Sequence, residues 1–170
     1  SEIYVVVGYK KEMFSYLTDK YGVHLLENPE FAVRNNHSSI YAARRVLRNS
    51  YICSSDNYFM ENVFEPYVFR SYYAASYASG PTSEYCLSTD INGLITQVTV
   101  GGTDSWYMMG HAYWDQAFSS RFVEFLEAEY DLPETRKMYW ENIYMKHIRP
   151  LPLYIRRYPE AIVREFDSLK

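Results

Sequence analysis

The chain has 170 residues, 48% of them hydrophobic, and a net charge of -4, which is enough apolar material for one ordinary domain with a full core. Its acidic balance, with no basic run longer than a pair, argues against a nucleic-acid partner. No charged-then-apolar leader opens it and no apolar run approaches the roughly 20 residues of a membrane helix, so no membrane is expected and a cytoplasmic location is.

The chain opens on Ile3-Tyr4-Val5-Val6-Val7, which reads as a fully buried parallel strand. A helix is predicted from Lys11 to Tyr21, with Met13, Phe14 and Leu17 on one face and Gly22 as its stop. Val23 to Leu26 reads as a second strand, ended by Asn28-Pro29. Ser38 then looks like the N-cap of a helix carrying Ile40, Ala43, Val46 and Leu47. This rhythm of strand and helix implies right-handed crossovers and a parallel sheet. Tyr51-Ile52-Cys53 is the third strand, ending in the polar cluster Ser54-Ser55-Asp56-Asn57. Strands follow at Tyr72 to Tyr77, Tyr85 to Thr89 and Leu94 to Val100, with Asp90-Ile91-Asn92-Gly93 as a hairpin turn. Trp106 to Trp114 is a further strand. Helices are predicted over Ser119 to Tyr130 and Thr135 to His147, and closing strands at Leu153 to Arg156 and Ile162 to Phe166. Cys53 and Cys86 show neither CxxC nor Cys/His spacing and are expected as reduced, buried thiols.

Chemistry in open α/β sheets sits at the carboxyl ends of strands, and there stands Asp56. A magnesium ion takes one or two protein carboxylates and leaves its other positions to water and phosphates, so one such Asp is a sufficient protein contribution, although an Asx-turn would use the same residue. Asp167, just past the last strand and two residues after Glu165, is the second candidate, and it too reads as a helix N-cap. The four histidines have no metal-ligand spacing, and G-x-S-x-G, Walker A and G-x-G-x-x-G are all missing. Aromatic residues make up 18% of the chain, including 19 Tyr and 3 Trp. Such a surplus can pack a core or line a pocket for a flat or cationic ligand.

The chain carries the runs Val7-Gly8-Tyr9-Lys10-Lys11-Glu12-x-Phe14-x-Tyr16-Leu17, Asn35-Asn36-x-x-Ser39-x-Tyr41 and Ser50-Tyr51-Ile52-x-x-x-Asp56-Asn57-Tyr58-Phe59, then Tyr113-Trp114-Asp115, Tyr139-Trp140-Glu141-Asn142 and Glu165-x-Asp167-Ser168. Together they resemble bacterial CTP:phosphocholine cytidylyltransferases, within the nucleotidyltransferase superfamily that also makes nucleotide sugars. The resemblance spans the whole chain in order. It implies an α/β, three-layer fold, a mixed and mostly parallel sheet flanked by helices, of the nucleotide-diphospho-sugar transferase kind. Nothing corresponds to that family's opening strand and Gly-rich nucleotide loop. The expectation is one nucleotidyltransferase domain over 1–170, missing its first strand, truncated at the N-terminus and also at the C-terminus, and inactive by itself. Ser54 stands where the family often has a second Asp.

The implied reaction is attack of phosphocholine on the α-phosphorus of CTP, giving CDP-choline and pyrophosphate. Asp56 and Asp167 would be the catalytic pair that holds Mg²⁺. Tyr85, Trp114, Tyr139 and Trp140, with Glu141 for charge, would bind the choline group, and Asn36 its phosphate. Two alternatives are a sugar-1-phosphate nucleotidyltransferase and a non-catalytic choline-binding module. The uncovered edge of the first strand is the expected route to a homodimer.

Overall fold

A computed structural model describes residues 2–159 and 162–166. The elements in chain order are β1 (Tyr4–Val7), a 3-10 turn (Lys11–Phe14), α1 (Tyr16–Tyr21), β2 (His24–Glu27), α2 (His37–Ala43), β3 (Ser50–Cys53) and β4 (Asn57–Phe59). Then come β5 (Tyr72–Thr89), β6 (Ile95–Trp114), α3 (Gln116–Glu129), a second 3-10 turn (Pro133–Lys137), α4 (Trp140–Lys146), β7 (Tyr154–Arg157) and β8 (Val163–Glu165). The α/β class and a mixed sheet are as the sequence implies. The chain forms two compact units, Ser1–Leu47 with Ser120–Lys146, and Arg48–Ser119 with His147–Lys170.

In the first unit β1 pairs parallel with β2, Tyr4 opposite His24 through Val7 opposite Glu27. Only Val7 of β1 is buried, and Ile3 is 59% exposed, so this strand is less enclosed than its apolar run suggested. The predicted Lys11–Tyr21 helix is divided into a 3-10 turn and the six residues of α1, neither with a buried residue. Without a packed face, segments this short have little to extend them. Gly22 does end α1, in left-handed backbone. Ser38 is not a cap: α2 begins one residue earlier, and the Ser38 hydroxyl accepts from Asn28 Nδ2 (2.8 Å) and donates to the Asn35 carbonyl (2.8 Å). The predicted helix over 135–147 forms only as α4, after the turn at Pro133–Lys137. Phe122, Leu126, Ile143 and Tyr144 make the core of this unit.

In the second unit the sheet order is β3-β6-β5-β7. β6 is antiparallel to β3 and β5, while β7 is parallel to β5. The third strand of the sequence reading is thus antiparallel rather than parallel. The four strands predicted between Tyr72 and Trp114 fuse into two, β5 of 18 residues and β6 of 20. Gly80-Pro81 and Gly101-Gly102 look like breaks in sequence. They lie where the pairing slips, with Gly80 and Gly101 at positive φ, and bulges of this kind bend a ladder without ending it. The Asp90–Gly93 hairpin turn forms as predicted, with the Asp90 carboxylate accepting from the amides of Asn92 and Leu94. Cys86 is buried; Cys53 is exposed as a residue, but its Sγ lies 3.3 Å from Nδ1 of buried His111 and burial pushes the thiol up to about 12.

The core of this unit is aromatic. His111 is fully buried, its ring stacked at 5.6 Å on Tyr51 and 6.0 Å on Tyr158, with Phe59, Phe64 and Tyr72 edge-on around it. Burial, with the nearby Arg156 charge adding to it, pushes the His111 imidazolium down to about 4. Its folded pKa therefore lies below the unfolded value, so the stability it contributes is full above about pH 6.5 and is lost as pH falls toward 4. The loss should reach about 2 kcal/mol by pH 5. Urea unfolding at pH 7.5 and pH 5 measures it, and His111→Phe should shrink the difference by about that amount.

Candidate active site

Two sets of groups stand out, one in each unit. In the second, the chain leaves β3 through a tight turn that carries Asp56. The Ser54 amide donates to the Gly110 carbonyl (2.9 Å), and the Asn57 amide closes the turn on the Ser54 carbonyl (3.3 Å). Asn57 Nδ2 donates to the Met109 carbonyl (2.7 Å). The Asp56 carbonyl accepts from the Phe166 amide (3.0 Å), and β8 pairs with β4, Asn57 opposite Glu165. The chain end just before Asp167 is thereby tied to the Asp56 turn; Asp167 itself lies outside the described residues. Asp56 Oδ1 is buried and has no hydrogen-bond partner among the described residues. A buried carboxylate oxygen without a donor suits a cation, and the orphaned atom fits the expected magnesium.

In the first unit, three consecutive residues at the start of α2 reach four residues at and just before the start of α4. Asn35 Nδ2 donates to the Lys137 carbonyl (3.3 Å), and His37 Nδ1 lies 2.6 Å from the Met138 carbonyl. Asn36 Oδ1 accepts from the Trp140 amide (2.7 Å) while its Nδ2 donates to Glu141 Oε2 (3.3 Å). The Tyr139 amide donates to Asn142 Oδ1 (2.8 Å), half of a capping box. Burial pushes the His37 imidazolium below its ordinary range, and the neutral ring can donate from Nδ1. Trp140 and Glu141 are thus fixed from outside their own helix, while Tyr139 is capped by Asn142 within it.

Around this seam the side chains are preorganised. The Arg34 guanidinium lies 4.1 Å from the Tyr130 ring, Tyr130 stacks on Tyr41 at 3.7 Å, and Arg44 covers Tyr41 at 3.8 Å. The Tyr130 hydroxyl donates to Glu30, which also pairs with Arg34, and these two partners hold the Glu30 carboxyl below the usual range. A polar cleft of about 170 Å³ is lined by Asn28, Arg34, Asn35, Asn36, Ser38 and Ser39.

Of the expected head-group residues, Tyr139 is 45% exposed, whereas Trp140 is 4% exposed and packs edge-on against Phe122. Glu141 is buried and bonded to Asn36. Both ends of the Asn36 amide engage α4, so its evident role is to hold that helix. Trp114 is wholly buried at the end of β6, tilted against Phe118 at 5.1 Å, so its ring packs the core of the second unit. Tyr85 is half-buried on β5, opposite Val100. Sequence reasoning missed Asn35, His37, Gly110 and Asn57 as placing residues; a lone Gly inside a strand was the available signal for close backbone approach.

The chain is 31% identical over 170 residues to the choline-phosphate cytidylyltransferase of Streptococcus pneumoniae, covering all of this chain and 74% of that one. It is 35% identical over 171 residues to the 2-aminoethylphosphonate cytidylyltransferase of Lancefieldella rimae, covering 98% and 70%. The solved structure of CTP:phosphocholine cytidylyltransferase from Streptococcus pneumoniae superposes with a TM-score of 0.93 at 32% identity, over 99% of this chain and 74% of that one. The inositol-1-phosphate CTP transferase from T. maritima, at a TM-score of 0.66 and 13% identity over 96% and 69%, shares the fold. No family model matches.

Two substitutions separate packing from binding. Trp114→Ala should cost about 3–5 kcal/mol of stability by cavity formation, read by urea unfolding. Asn36→Ala should cost about 0.5–2 kcal/mol, as for a lost helix cap, and broaden the NMR signals of the Tyr139 and Trp140 amides.

Proposed function

The chain belongs to the choline-phosphate cytidylyltransferase family, and from that membership we propose how its residues perform the reaction, transfer of CMP from CTP to phosphocholine to give CDP-choline and pyrophosphate. The full-length match at 31% identity, with a superposition at a TM-score of 0.93, carries this reading.

The chemistry asks little of proton transfer. A phosphomonoester is largely a dianion at neutral pH, so its oxygen attacks the α-phosphorus directly. A new P–O bond forms as the bond to the β-phosphate oxygen breaks, and pyrophosphate departs with that electron pair. The protein's work is positioning and neutralisation of charge. Asp56 is the described residue that would hold Mg²⁺, with Asp167 as the proposed second carboxylate. When bound, the ion would neutralise phosphate charge and align the reacting groups. The orphaned Asp56 Oδ1 supports this assignment.

For the head group, the first unit offers Tyr139 and Glu141. A trimethylammonium group donates no hydrogen bonds and is held by ring faces and by a nearby negative charge. Tyr139 is the exposed ring, and Glu141, two residues on, is held by Asn36. Tyr85 is a further candidate ring in the second unit. Trp114 and Trp140 act by packing, and Asn36 positions Glu141 instead of meeting phosphate. A second reading has a specific basis in the 35% identity to a 2-aminoethylphosphonate enzyme, whose name implies a primary ammonium that would need hydrogen-bond acceptors such as Glu141. A sugar-1-phosphate acceptor has only a likeness of fold behind it, which does not favour any acceptor.

A cytoplasmic location follows as a proposal from CTP being an intracellular substrate, and no described helix is long and apolar enough to cross a membrane. Homodimerisation is likewise proposed, because β1 has only β2 as a partner among the described residues and such an edge is a template for pairing.

With the full-length protein at saturating Mg²⁺, Asp56→Ala should lower kcat by at least about 10²-fold while the fold is retained. Near-normal turnover would remove Asp56 from the metal site. In competition kinetics, phosphocholine should exceed phosphoethanolamine by on the order of 10²-fold in kcat/KM, and Tyr139→Ala should raise KM for phosphocholine by roughly tenfold. Preference for 2-aminoethylphosphonate would establish the second reading.

A further inference from the structure

The turn that carries Asp56 fits against β6 at one place only because a side chain is missing there. Gly110 has a φ of +72°, in the left-handed region that residues with a Cβ seldom adopt. A Cβ built on it would lie 2.7 Å from Ser54 Oγ, 3.1 Å from Ser54 Cβ and 3.2 Å from Asn57 Nδ2. These are two residues flanking Asp56, and both are also bonded to β6: Ser54 to the Gly110 carbonyl and Asn57 to that of Met109. Asn57 Oδ1, like Asp56 Oδ1, is buried without a partner among the described residues, so the Asn57 amide is anchored through its nitrogen alone.

We propose that Gly110 and Asn57 are positioning residues that seat the Asp56 carboxylate, the glycine by leaving room for the turn and the asparagine by anchoring it to β6. The inference rests on the reading of Asp56 as a metal-holding residue. Any side chain at position 110 must push Ser54 and Asn57 away, and Asp56 lies between them in sequence. The turn would then move outward while β6, paired on both edges, keeps its place. Loss of the Asn57 amide would release the same turn without any clash. The pairings of β6 with β3 and β5, which stabilise the unit, are kept in either case, so metal binding should fall much more than stability.

Binding of Mn²⁺ to the full-length protein in the presence of CTP, followed by electron paramagnetic resonance, tests this alongside thermal unfolding. Gly110→Ala and Asn57→Ala should each weaken Mn²⁺ binding by about tenfold or more, with Tm lowered by no more than a few degrees. Adding Ser54→Gly to Gly110→Ala removes the two nearest clashing atoms and should restore most of the affinity while Tm changes little, a recovery in binding without one in stability that a merely structural role would not give. Should Gly110→Ala fail to fold, Asn57→Ala carries the test, with wild-type affinity overturning the inference. If Asp56→Ala abolishes the signal while Gly110→Ala and Asn57→Ala bind as the wild type does, the inference fails and the metal reading stands. If Asp56→Ala itself binds Mn²⁺ normally, the metal reading fails and takes the inference with it.

Discussion

The second unit depends on the pairing of β6 along both of its edges. Its 20 residues run antiparallel to β3 on one side and β5 on the other, and its last five residues place most of what matters. Gly110 admits the Asp56 turn, His111 is the hub of the aromatic core, and Trp114, on the opposite face of the strand, packs against Phe118. Asp115 then accepts from the Phe118 amide (2.8 Å) and so starts α3, while its own amide is held by the Ser71 hydroxyl. A slip of one residue along β6 would turn each of these groups to the opposite face.

Backbone pairing has no comparable reach in the first unit, where β1 and β2 form a sheet of two strands. Side chains supply the order there. Asn35, Asn36 and His37 bond to Lys137, Met138, Trp140 and Glu141, so a seven-residue helix too short to persist alone is fixed at its start by partners about 100 residues distant in sequence. Each bond contributes only about 0.5–1.5 kcal/mol net. Their joint effect is geometric: the backbone from Lys137 to Trp140 is held at three points, and the Glu141 carboxylate at a fourth, which suits residues that must meet a ligand in one arrangement.

Much of this was legible in the residues. Asp56 at a strand end, the Asp90–Gly93 turn, Gly22 as a helix stop and the α/β alternation all come from local chemistry, and local chemistry is what a sequence displays. Trp114 and Trp140 were not legible as core residues, because an aromatic side chain reads alike whether it faces a ligand or Phe118. The two long strands were hidden by Gly80-Pro81 and Gly101-Gly102, which mark bulges as readily as breaks. Asn36 looked like a phosphate contact because its real partner, the start of α4, lies about 100 residues away. Gly110 was overlooked for the same reason, since the reason for its small size is a turn 53 to 56 residues earlier in the chain.

The central claim, that this protein makes CDP-choline, is tested most directly by following CTP, phosphocholine and Mg²⁺ with the full-length protein by phosphorus NMR. The account predicts that the phosphocholine signal is consumed as the paired diphosphate signals of CDP-choline and an equal amount of pyrophosphate appear. Unchanged phosphocholine, with CTP either intact or cleaved to CDP and inorganic phosphate, would contradict it.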